Sequence, residues 1–160
     1  MSVSVQEADF DLGQEMAILC RARTDIGAVA SFVGLVRSAN EGSGVAAMTL
    51  EHYPGMTEAA LEEIVAEANK RWSLQGVRVI HRFGRLLPGD QIVLVITASP
   101  HRGEAFAACE YIMDYLKTRA PFWKKEETPE GGRWVDARES DSAAADRWRL
   151  GEAHEAEARG

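Results

Sequence analysis

Cysteine is scarce in this chain: Cys20 and Cys109 are the two present among 160 residues. Two thiols cannot make a disulfide framework. With no Cys-x-x-Cys or His-x-x-x-His spacing they do not make a structural zinc site either, so no metal and no cofactor is expected. Long apolar runs are missing too. Gly27–Val36 and Ile92–Ala98 are the longest, far below the roughly 20 residues of a membrane span. Met1–Phe10 carries acids but no Lys or Arg, so it lacks the basic opening of a secretory signal. No membrane contact is expected, and the cytoplasm is the expected compartment. Basic charge is in short supply: 18 Lys and Arg face 25 Asp and Glu, a net charge of −7. That balance argues against nucleic acid as a partner.

What remains is an ordinary globular composition, 46% hydrophobic and 27% charged, of a length suited to one domain. Residues 1–150 read as that single domain and residues 151–160 as a small, charged, frayed tail. The acidity is uneven, because residues 126–160 hold ten acids against five bases. By contrast, Tyr115–Lys125 contains Lys117, Arg119, Lys124 and Lys125 with no acid. A local basic cluster in an acidic protein suits one small anion better than a polyanion.

The hydrophobic periodicity divides the chain into short elements. Ser2–Gln6 reads as a strand, and Asp11 as the cap of a helix reaching about Ala22. Gly27–Val36 reads as a buried strand and the polar Ser38–Gly44 as a loop. Ala46–Tyr53 alternates as a half-buried strand. Thr57 is placed to cap a helix reaching about Trp72. Gly76–Phe83 and Gln91–Ala98 follow as strands, separated by a Leu87-Pro88-Gly89-Asp90 turn. Ser99-Pro100 has the form of a helix start. That helix should bury Phe106, Cys109, Met113 and Leu116 and stop before Pro121. Arg133–Ala137 reads as a strand and Ser142–Leu150 as a last helix. From residue 46 the order is β-α-β-β-α-β, a ferredoxin-like core of the α+β class with a mostly antiparallel sheet and helices on one face. Many functions use that order.

Three places invite chemistry. At Ser99-Pro100-His101-Arg102 a strand gives way to a helix, whose first turn offers unpaired N–H groups beside an Arg. Solvated first-turn residues are the alternative. The second place is Lys117–Lys125. Cations suit a helix C-terminus, but Phe122-Trp123 between bases needs burial or the flat face of a ligand. The third, Arg37, opens a glycine-rich loop after a strand. His52 and His81 lie in alternating strands and read as satisfied core residues, and Cys109 reads as core.

Longer motifs go further. Phe32-Val33-Gly34-Leu35-Val36-Arg37, Leu50-Glu51-His52-Tyr53-Pro54-Gly55-Met56, His81-Arg82-Phe83-Gly84, Leu87-Pro88-Gly89-Asp90 and Tyr115–Glu126, with its string LKTRAPFWKKE, resemble the large, catalytic subunit of molybdopterin synthase. Arg133-Trp134-Val135 and Ala137-Arg138-Glu139-Ser140 extend the resemblance. It implies an α/β hammerhead fold and a homodimer of large subunits within a heterotetramer. A small ubiquitin-like sulfur carrier would bind at each end, its C-terminal Gly-Gly a thiocarboxylate. The implied substrate is cyclic pyranopterin monophosphate, precursor Z, which gains two sulfurs to give molybdopterin. The matching site positions are Arg37, His101, Arg102, Lys117, Lys124 and Lys125, with Arg138 a further basic position.

These readings give a sulfurtransferase. Lys117 and Lys124 are the expected catalytic residues, and Arg37, His101, Arg102, Lys125 and Arg138 the expected substrate-binding residues. The rival is a non-catalytic ferredoxin-like module that binds a phosphorylated small ligand. Arg102 and Lys117 fall fifteen residues apart on one predicted helix, about 22 Å at 1.5 Å per residue. That spacing leads to the expectation of a pocket shared between two subunits.

Overall fold

The computed structural model describes residues 2–40, 43–135 and 141–149. Arg138 and the expected frayed tail lie outside the described residues. Strand β1 (Val3–Gln6) leads to helix α1 (Leu12–Cys20), and β2 (Ala28–Leu35) to a two-residue ladder, β3 (Ala39–Asn40) with β4 (Ser43–Gly44). Strand β5 (Ala47–His52), α2 (Met56–Arg71), β6 (Gly76–Arg82), β7 (Gly84–Leu86), β8 (Gln91–Ser99) and α3 (Arg102–Arg119) follow. Strands β9 (Phe122–Thr128) and β10 (Gly131–Val135) close the series, and a helix, α4, spans 141–149.

The expected β-α-β-β-α-β order appears with one short extra strand, β7, between β6 and β8, and among the described residues every ladder but β1–β6 is antiparallel. The strands divide, however, between two four-stranded sheets, β1-β6-β8-β2 and β10-β9-β5-β7. A single ferredoxin-like sheet needs β5 beside β8. Here β2 takes that place against β8, and β7 takes the free side of β5. The helices do not all share one face. Val79, Val93 and Val95 of the first sheet join the main core with α2 and α3. Ile80, Leu94 and Ile96 turn the other way, against Leu12 and Leu19 of α1. Strand β8 is buried on both faces, from Ile92 to Ser99, which explains its unbroken apolar run.

Several local expectations are corrected. β2 is an edge strand, with Phe32 42% and Leu35 53% exposed. Gly55, at φ +85°, caps α2, and its N–H donates to Glu58 Oε2 at 2.6 Å. Thr57 instead sits buried in the first turn, donating from Oγ1 to the Tyr53 carbonyl at 2.9 Å. Helix α3 starts at Arg102 with His101 as its cap, because Ser99 completes β8. Its buried face runs through Ala105, Ala108, Cys109, Ile112 and Leu116, whereas Phe106 is exposed. Strand β9 was not expected at all. Its charged run hides a two-residue period: Phe122, Lys124 and Glu126 face inward, and Trp123 and Lys125 face out.

Helix α4 is clamped onto α2 and α3. The Trp148 ring lies edge-on to Trp72 and Tyr111, at 5.6 and 5.4 Å between centroids, and its Nε1 donates to Asp114 at 2.8 Å. The Arg71 guanidinium lies over the same three rings.

Candidate active site

Helix α3 ends at Ala120 because Pro121 cannot continue it. The chain then turns back as β9, pairing Phe122, Lys124 and Glu126 with His52, Leu50 and Met48 of β5. This reversal brings the last turn of α3 beside the inward face of β9. A cavity of about 360 Å³ lies at the junction. Its apolar wall includes Leu35, Val45, Met48, Ile92 and Leu116.

Its cations are Arg37, Lys117 and Lys124. They come from three separate places: the loop after β2, the end of α3 and the middle of β9. Three cations converging on one concave wall can hold a phosphate and stabilise negative charge that builds up during reaction. Lys117 also complements the C-terminal dipole of its helix.

The structure does not bring every expected residue here. Lys125 points to the opposite side of β9, with Nζ 5.7 Å from the centre of the Trp134 ring. His101 and Arg102 stand exposed at the far end of α3. Arg138 lies outside the described residues.

Two buried polar residues outside the expected site set also line the cavity, one of them a histidine expected in the core. His81, 4% exposed, belongs to the cavity wall. Its ring stacks on Phe122 with centroids 3.7 Å apart and planes at 18°. Burial pushes its pKa down to about 3; the bond to the Arg82 carbonyl opposes this, and the charges of Lys124, Lys117 and His52 add to it. Glu126 is also buried in the wall, paired with Arg133 at 3.0 Å. His81 gives no sequence signal beyond its place in the alternation of β6, and Glu126 gives none, because its stretch reads as a charge run. Phe122, which needs burial or the flat face of a ligand, lines the cavity. Cys109 is buried, and burial with the neighbouring Glu110 charge pushes its thiol up to about 11. Among the described residues no cluster of His, Cys, Asp or Glu is arranged to hold a metal.

The family model of the MoaE protein matches residues 5–119. A molybdopterin synthase catalytic subunit from Ralstonia nicotianae is 65% identical over 147 residues, covering 92% of this chain and 84% of the relative. The chain belongs to the MoaE family, the catalytic subunits of molybdopterin synthase. A catalytic subunit from Pseudomonas aeruginosa is 59% identical, covering 92% of this chain and 99% of its own. The solved MoaE protein from Burkholderia ambifaria superposes with a TM-score of 0.79 at 59% identity, over 92% of this chain and 97% of the other. Molybdopterin synthase from Staphylococcus aureus gives 0.78 at 30% identity, over 85% and 98%. A complex of subunits 1 and 2 of molybdopterin-converting factor from Helicobacter pylori shares the MoaE fold, at TM-score 0.68 and 19% identity over 86% and 92%. Membership of this family makes the chain an enzyme subunit of molybdenum-cofactor biosynthesis and sets aside the binding-only module. No helix among the described residues is long and apolar enough to cross a membrane.

Proposed function

We propose that this chain transfers sulfur to cyclic pyranopterin monophosphate, drawing it from the C-terminal thiocarboxylate of a small ubiquitin-like carrier subunit. Two transfers produce the dithiolene of molybdopterin. The observation that carries the reading is the convergence of Arg37, Lys117 and Lys124 on one cavity. Substrate phosphate and thiocarboxylate are both anions, so bringing them together needs fixed positive charge. Arg37 suits phosphate binding through its forked donors. Lys117 and Lys124 are the catalytic residues, placed to stabilise charge and move protons. The sulfur arrives on the partner, so the buried, protonated Cys109 has no part in the transfer.

His101 and Arg102 join the same chemistry from a second copy of the chain, in a homodimer within a heterotetramer. The Helicobacter pylori complex supports a two-subunit assembly. Lys125, turned toward Trp134, is left out of this assignment, and Arg138 stands on resemblance alone. Replacing Lys117 tests the reading: Lys117→Ala should abolish product from precursor Z and thiocarboxylated carrier. Its melting temperature should hold, because a helix-end cation contributes only about 0.3–1 kcal/mol. Near-wild-type turnover would overturn the assignment.

A further inference from the structure

The cavity wall contains one histidine for which the cation cluster has no use. His81 comes from the middle of the molecule, on β6, and its ring is fixed from two sides. Phe122 covers one face at 3.7 Å. Nδ1 lies 2.8 Å from the Arg82 carbonyl oxygen. A carbonyl only accepts, so Nδ1 carries the hydrogen and donates. In a neutral imidazole that leaves Nε2 as an acceptor with a free lone pair. The hydrogen bond described for the ring is the one through Nδ1, and the residue lines the cavity. The ring stays neutral at pH 7, because burial and the positive charges of Lys124, Lys117 and His52 all oppose protonation.

The other polar side chains of the wall offer no neutral acceptor. Arg37, Lys117 and Lys124 are pure donors. Glu126 and Asp141 accept, but as charged carboxylates, and Glu126 is engaged with Arg133. A phosphorylated pterin presents two demands. Its phosphate needs donors, which the cations supply. Its heterocycle carries N–H groups that need an acceptor once water is displaced, and an unpaired buried donor is costly.

We propose that Nε2 of His81 accepts a hydrogen bond from an N–H edge of the heterocyclic substrate, making His81 a specificity-determining residue of this cavity. The inference rests on the pterin-phosphate reading above and adds to it the group that reads the ring rather than the phosphate. A site built around such a bond discriminates strongly against flat phosphorylated ligands that lack the N–H.

The test uses the full chain with its carrier subunit. His81→Asn keeps a donor where Nδ1 stands but loses the acceptor. His81→Gln reaches the Nε2 position with an amide oxygen. His81→Asn should raise KM for cyclic pyranopterin monophosphate about tenfold, the worth of one hydrogen bond, with kcat within about twofold. His81→Gln should recover most of the loss. Inhibition by inorganic phosphate, which probes the cations alone, should not change. Wild-type KM in His81→Asn would overturn the proposal, as would a loss confined to kcat or a parallel loss of phosphate inhibition. Should the variant not fold, nitrogen-15-labelled histidine in the wild-type chain decides. The His81 Nε2 resonance should shift toward the protonated range on binding the pterin and not on binding inorganic phosphate; a resonance indifferent to the pterin would overturn the idea. A wild-type chain that neither binds nor converts the pterin would sink both readings. Conversion with an unaltered His81→Asn would sink this one alone.

Discussion

Arg102 and Lys117 stand at opposite ends of one unbroken helix, α3, with Arg102 opening it and Lys117 in its last turn. Fifteen residues at 1.5 Å each separate their backbones by about 22 Å. Lys117 lines the cavity and Arg102 does not. Long side chains cannot close that gap. If both serve one substrate, the helix start of one chain must face the helix end of another, as a two-fold dimer allows. Arg102→Ala and Lys117→Ala chains, each inactive alone, should therefore complement when subunits exchange. Random pairing makes about half the dimers mixed, each with one intact site, so about a quarter of wild-type activity should return. No recovery, with exchange confirmed by mass spectrometry, would show that both residues are needed on the same chain and would overturn the shared pocket.

The cation cluster was legible because it is local: Lys117 and Lys124 are seven residues apart, and an acid-free run in an acidic chain stands out. From spacing alone Arg37 reads as a loop residue, and only the family resemblance groups it with the two lysines. Its approach depends on β2 pairing with β8, a long-range contact that no short window contains. The element order was readable from periodicity, whereas the split into two sheets was not. Order alone does not say whether β2 or β5 lies beside β8. Strand β9 escaped because Lys124-Lys125-Glu126-Glu127 looks like a solvated charge run. Its period of two becomes visible only once Lys124 and Glu126 are found facing a polar cavity instead of an apolar core.

The buried histidine should leave a mark on pH stability. The His81 pKa falls from 6.5 to about 3 in the folded chain. An unfolded chain takes up this proton below about pH 6.5, and the native chain refuses it until near pH 3. Stability from this group is thus full above pH 6.5 and declines on acidification through that window. The slope should be about 1.4 kcal/mol per pH unit at most. Urea unfolding between pH 7 and pH 5 should show wild type losing more stability than His81→Gln. Equal slopes would show that His81 titrates normally.

The thiols are expected to be dispensable for chemistry. Cys109 Sγ sits 4.0 Å from the Val95 carbonyl, and burial holds the thiol protonated at neutral pH. A Cys20→Ser, Cys109→Ala chain should still make product. A small cavity at 109 should lower stability by about 1 kcal/mol. A folded double variant that binds carrier and pterin yet makes no product would reassign the sulfur path through this chain.

Gly27 controls the segment that presents His101 and Arg102. Its N–H donates to the Ser99 carbonyl at 3.1 Å. A Cβ at this position would overlap the Pro100 carbonyl oxygen and crowd the Pro100 carbonyl carbon at 2.9 Å. Both are backbone atoms, so the strain cannot relax by a side-chain rotation. Gly27→Ala should push the 99–102 turn away from β2 at a cost of about 1–3 kcal/mol. Gly103, one residue past Arg102, is the control. A Cβ there meets nothing within 4 Å, and Ala suits a helix better than Gly by up to about 1 kcal/mol. Thermal melts should show Gly27→Ala destabilised and Gly103→Ala unchanged or slightly stabilised. Activity at a temperature where both are folded should fall in Gly27→Ala, because Arg102 is carried on the displaced turn. Full activity in a folded Gly27→Ala chain would show that the position of this turn does not matter to catalysis, and would count against Arg102 acting in a shared site.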